Sequence, residues 1–132
     1  MKRLAGLLQD RRAALLLVST VAVVVYANAV PNQFAYDDHH IVVNNEAIQS
    51  LETLPGAVVS PYWPGVFGRA GGLWRPTSQL LLGLQWIAAD GSPWLFHLTN
   101  VLGHAAVSAL VLLLLAELMS LPGALVAALL FA

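Results

Sequence analysis

The 132-residue sequence contains no cysteine, which excludes a disulfide framework and removes thiolates from any metal site. Charge is scarce as well, with Asp, Glu, Lys and Arg making up 10% of the chain against about 25% in an ordinary soluble domain. A net charge of −1 excludes nucleic acid as a partner, because neutralising phosphates takes clustered lysines and arginines. There is no glycine-rich phosphate cradle, no His-Glu-x-x-His pair, no Gly-x-Ser-x-Gly elbow, no internal repeat and no low-complexity segment. Apolar residues, by contrast, reach 58%, where about 45–50% is usual. This is a membrane composition, with room for two or three passages and one loop of modest size.

The few charges are unevenly placed. Lys2, Arg3, Arg11 and Arg12 are four of the six basic residues, so residues 1–12 form a basic segment that stays in the cytoplasm by the positive-inside rule. Residues 13–30 follow with only Ser19, Thr20, Tyr26 and Asn28 as polar interruptions, which predicts a first transmembrane helix. The same basic start, apolar centre and Ala27-Asn28-Ala29 also fit a cleaved signal peptide. Further apolar spans downstream favour the retained helix. On either reading the next segment is translocated.

That segment, residues 31–93, carries Asp37, Asp38, Glu46, Glu52 and Asp90 against Arg69 and Arg75, and it has no lysine. It reads as an acidic extracytoplasmic loop. Within it, Asp37 and Asp38 beside His39 and His40 can accept protons, hold a divalent cation or solvate a turn. Asn45 is placed to cap a short helix over 46–54, ended by Pro55-Gly56. The stretches around Ser60-Pro61-Tyr62-Trp63-Pro64-Gly65 and from Arg69 to Gly72 are turn-rich. Residues 76–89 form a helix with proline in its first turn. It spans about 21 Å, too short to cross a bilayer, so it is expected to lie at the interface or re-enter. Arg75 at its start can snorkel to headgroups or grip a phosphate.

Residues 94–118 predict the second transmembrane helix, with His97, Asn100 and His104 sharing one face. Ionisable groups at membrane depth are costly and are functional candidates by default. His97, near the translocated surface, fits either a functional role or a packing one, whereas His104 reads as an interhelical hydrogen bond beside the small residues Gly103, Ala105, Ala106 and Ser108. Residues 119–123 make a cytoplasmic turn, and residues 124–132 begin a third helix. Because the sequence stops inside an apolar run, it is expected to be part of a longer chain. The predicted fold is therefore an all-α membrane protein: two full transmembrane helices, the start of a third, and an extracytoplasmic loop carrying short interfacial helices.

At this point a resemblance adds to the residue chemistry. The order Asn32-x-Phe34-x-Tyr36-Asp37-Asp38, Ile41-Val42-x-Asn44, Tyr62-Trp63, Trp74-Arg75-Pro76-Thr77 and Phe96-His97-Leu98-x-Asn100-Val101-Leu102-x-His104 resembles the amino-terminal part of the transmembrane and tetratricopeptide-repeat O-mannosyltransferases and their bacterial relatives, which are polytopic glycosyltransferases of the C class. The similarity runs from Pro31 to Ala132. It implies transfer of a mannose-like sugar from a polyprenyl-phosphate donor to a protein or glycan acceptor on the non-cytoplasmic side, with a bacterial inner membrane as the expected location. It also implies that a first-loop carboxylate, Asp37 or Asp38, acts as the base or helps hold a divalent cation. Arg75 would then compensate the departing phosphate, while His97 and Asn100 would orient the carboxylate or the phosphate. In an extended segment adjacent residues point opposite ways, so one catalytic aspartate and one structural partner are expected. A second class of function fits the same residues: a non-catalytic membrane anchor whose acidic loop binds a partner or an ion, with His39 and His40 as ligands.

Overall fold

The computed structural model describes residues 10–65, 68 and 71–132; the predicted basic residues Lys2 and Arg3, and Arg69 in the turn-rich stretch, lie outside them. The described residues contain no strand, and their α-helices are α1 (Arg11–Tyr26), α2 (Leu54–Val58), α3 (Pro76–Ala89), α4 (Trp94–Leu118) and α5 (Leu121–Phe131). They fall into two compact units, one formed by Met1–Val30 with His97–Ala132 and the other by Pro31–Phe96.

In the first unit, α1 starts where Asp10 accepts a 2.8 Å hydrogen bond from the Arg12 amide, satisfying one of the donors a helix start leaves open. The helix therefore begins two residues before the predicted span, and it tightens into a 3-10 turn over Ala27–Ala29. Ala14 and Val18 of α1, Leu112 of α4, and Ala124, Leu125 and Ala128 of α5 make one buried cluster. Small residues at these contacts let helix backbones approach closely, which is how membrane helices associate when lipid is as apolar as leucine. Outside the cluster, Leu16, Val24, Leu114 and Leu130 are all more than 60% exposed. Together with the length and hydropathy of the Arg11–Ala29 and Trp94–Leu118 segments, this outward apolar surface suits a hydrocarbon solvent. Arg11 and Glu117 are joined by a 2.8 Å ion pair. The third helix begins at Leu121 rather than at 124, because Pro122 sits in its first turn, where the missing N–H costs nothing and φ is already helical. The predicted turn over 119–123 shrinks accordingly.

The second unit is organised around Ile41, Val42, Ile48, Leu54, Ala57 and Phe96, with the Phe34 and Phe96 rings edge-to-face at 5.1 Å. The helix expected over 46–54 is not formed. A 3-10 turn covers Glu46–Ile48, and Pro55, instead of ending a helix, stands in the first turn of α2. Nor does Asn45 cap a helix: it is buried, and its Nδ2 donates to the Ile41 carbonyl at 3.0 Å. The helix predicted over 76–89 appears with those limits, stopped by Asp90 in the left-handed conformation at φ 49°. Its packing runs opposite to that of a water-facing helix. Gln79, Gly83 and Gln85 are buried, whereas Leu80, Leu81 and Leu84 are each more than 40% exposed. Gly83 is the close-approach point, since a Cβ there would collide with Leu54 Cδ1 and lie 3.1 Å from the Ile48 carbonyl oxygen.

Candidate functional site

The aspartate pair sits at the mouth of an irregular helical segment. Tyr36 is 90% exposed and holds a positive φ of 45°, an unusual conformation for an aromatic residue and one that marks a constrained turn. The chain then enters a helical turn at Asp37 and Asp38 and a π-helical turn over His39–Val43, closed by the Asn44 amide donating to the His39 carbonyl at 2.8 Å. Single π-turns are frequent at functional sites. The extended segment expected here is therefore replaced by helical backbone. The physical reason is local: the Ala35 amide donates to Asp38 Oδ2 at 3.1 Å, while the Asp38 amide donates to the Ala35 carbonyl at 3.0 Å. These reciprocal bonds wind the chain. In a helix, successive side chains diverge by roughly 100° rather than 180°.

The two carboxylates differ in what they touch. Asp38 is half-buried and holds the turn, whereas Asp37 is exposed and its carboxylate makes no hydrogen bond or ion pair among the described residues. His39 and His40 are exposed. Among the described residues no group of three or more His, Cys, Asp or Glu side chains gathers in a way that could hold a metal ion, so the pair of aspartates and the pair of histidines do not form a ready ligand set.

Arg75 belongs to the same unit. It occupies the position before α3 at φ −138° and ψ 70°, outside the α region that a residue preceding proline avoids, and its guanidinium carbon lies 5.1 Å from the Tyr62 ring centroid. Such a cation–π contact holds a planar fork in one orientation while leaving its N–H donors available. The open amides of the α3 start add a second attraction for an anion.

His97 and Asn100 lie in the other unit, where they share a cleft of about 370 Å³ with Tyr26, Ala29, Val101 and His104. His104 is packed between helices. Its ring meets Tyr26 edge-on at 4.9 Å and Phe131 at 5.3 Å, and its Nε2 is 3.2 Å from the Ala132 backbone oxygen. That is the interhelical role read from its small neighbours. The structure thus gathers the five candidates in two groups, Asp37, Asp38 and Arg75 in one unit and His97 with Asn100 in the other.

Residue chemistry alone did not single out a third feature, a cavity of about 290 Å³ whose walls include Asn45, Ser60, Trp63, Pro64 and Gln79. The available signal was Gln79 itself, a carboxamide inside an apolar helical run.

No family model matches the chain, and no solved structure does. Curated relatives do match. The chain is 32% identical over 117 residues, 86% of its own length, to protein O-mannosyl-transferase Tmtc1 of Drosophila melanogaster, where those residues cover 14% of the relative. It is 31% identical over 99 residues to Tmtc2 of the same organism, covering 73% of this chain and 11% of that protein. To human protein O-mannosyl-transferase TMTC2 it is 28% identical over 97 residues, 72% of this chain and 12% of the relative.

Proposed function

Because the chain belongs to the protein O-mannosyl-transferase family of these relatives, we propose that it forms the amino-terminal part of a membrane glycosyltransferase that moves a mannose-like sugar from a polyprenyl-phosphate donor to a protein or other acceptor outside the cytoplasm. The observation that carries this reading is the division of labour in the aspartate pair, with Asp38 occupied by the Ala35 amide and Asp37 open to solvent. An acceptor hydroxyl is a weak nucleophile. Asp37 takes its proton as the bond to the anomeric carbon forms and the bond from that carbon to the phosphate oxygen breaks. The negative charge left on the phosphate is met by Arg75, oriented on Tyr62, and by the open amides of α3. His97 and Asn100 are a separate proposed substrate-binding pair, within the cleft they line in their own unit.

The basic amino-terminal cluster and the acidic loop support residues 31–93 on the outer face; the membrane of the proposal is a bacterial inner membrane with the loop facing the periplasm, and the relatives compared above are animal proteins. The anchor-module reading has no observation of its own in the structure. The test is a transfer assay on membranes holding the full-length protein. Sugar should move to acceptor from a polyprenyl-phosphate-linked donor and not from a nucleotide-linked one. Transfer from the nucleotide sugar alone, with the lipid donor inert, would refute the proposal.

A further inference from the structure

Three polar side chains line the cavity at the Ser60–Gly65 turn, and each donates one hydrogen bond to a backbone carbonyl. Asn45 Nδ2 donates to the Ile41 oxygen at 3.0 Å, Gln79 Nε2 to the Pro61 oxygen at 3.3 Å, and Ser60 Oγ to the Gly56 oxygen at 2.7 Å. A carbonyl can only accept, so the orientation of both amides is settled by chemistry. What remains for a ligand is a mixed set: the acceptors Asn45 Oδ1, Gln79 Oε1 and Ser60 Oγ, and the second N–H of each carboxamide. Gln79 is 2% exposed, and its Oε1 has no hydrogen-bond partner among the described residues. An unmet buried acceptor is costly, so it asks for a donor.

We propose that this cavity binds one neutral polyhydroxylated ring, and specifically the sugar that the enzyme transfers or receives. No lysine or arginine lines the cavity, so nothing there balances the charge of a phosphate or a carboxylate. No carboxylate lines the cavity, so nothing there balances a cation. Hydroxyl groups satisfy the oxygens, and the indole of Trp63, held edge-to-face on Tyr62 at 6.3 Å, offers an apolar wall to the C–H face of a ring. The volume, about 290 Å³, is far above the roughly 30 Å³ of a single water and near the lower end, about 300 Å³, of small-molecule sites. It admits one sugar and not a prenyl chain. The identity of the sugar as substrate rests on the function proposed above; the binding of a polyol does not.

The experiment is saturation-transfer NMR on the full-length protein in detergent with methyl α-D-mannopyranoside, and with inorganic phosphate as a competing arm. Wild type and Asp37→Asn should both give a sugar signal that phosphate does not reduce. Gln79→Met should weaken it about tenfold, the equivalent of one hydrogen bond. Ser60→Ala changes an exposed position, so the fold is not at risk, and it should weaken binding in the same direction. Absence of signal in wild type, as when only water occupies the cavity, overturns the proposal. So does binding unchanged in both Gln79→Met and Ser60→Ala, or competition by phosphate. If sugar binds in a Gln79-dependent way but no transfer is found, the glycosyltransferase reading fails and the site stands. Transfer with an unaltered KM in both cavity variants fails the site and leaves the glycosyltransferase reading intact.

Discussion

Asp38 can be tested apart from Asp37 because its bond to Ala35 needs only an acceptor. Asparagine keeps an oxygen at that place, so Asp38→Asn should retain the turn, whereas Asp38→Ala should loosen it by about 1 kcal/mol, as losing a cap does. Faster hydrogen exchange at the Ala35 amide in the alanine variant, but not in the asparagine one, is the expected result. Arg75→Lys should lower turnover in the full-length enzyme, since a point charge neither stacks on Tyr62 as a plane nor forks onto a phosphate. The adjacent pair was legible as an acidic, aromatic stretch, but not which member holds the turn. That depends on Tyr36 taking a positive φ, for which tyrosine carries no sequence signal. Gln79 was hidden for a related reason: its burial follows from which face α3 turns to the Ile48–Leu54 core.

At the scale of elements, the limits of α3 were legible in the pattern, whereas its inward face was not read from it. Pro76 in the first turn and Asp90-Gly91 after the end mark the boundaries in the sequence. The inward face, however, is set by Gly83 fitting under Leu54 and not by the leucines. Gly83→Val should therefore destabilise the loop unit by about 1–3 kcal/mol, the range for overpacking, seen as earlier proteolysis within Pro31–Phe96 while the helical unit stays protected. The 46–54 helix failed because Asn45, the expected cap, is drawn back to the Ile41 carbonyl four residues earlier, a local bond by which an asparagine side chain competes with capping. For α1, Ala14 and Val18 pack in one cluster with Leu112 and Leu125. The helix should accordingly persist in the mature protein, and amino-terminal sequencing should find no chain beginning at Val30.

For the whole molecule, the membrane architecture was the most legible feature. Apolar length and the placement of lysine and arginine are properties of composition and need no tertiary detail. Topology can be measured directly, since these 132 residues contain no cysteine to compete with an introduced one. Cysteines introduced at Asn44 and Gly71, both exposed, should react with an impermeant reagent in intact cells. Reaction only after lysis would reverse the orientation. The chain spans about 11–14% of the length of the curated relatives compared, so activity belongs to assays on the full-length protein. There the central claim, that Asp37 is the base, is tested most directly by comparing initial transfer rates of Asp37→Asn and Asp38→Asn at matched expression. The account predicts a loss of at least about 10²-fold for Asp37→Asn and a rate within severalfold of wild type for Asp38→Asn. Near-normal transfer by Asp37→Asn, with or without an inactive Asp38→Asn, would contradict it.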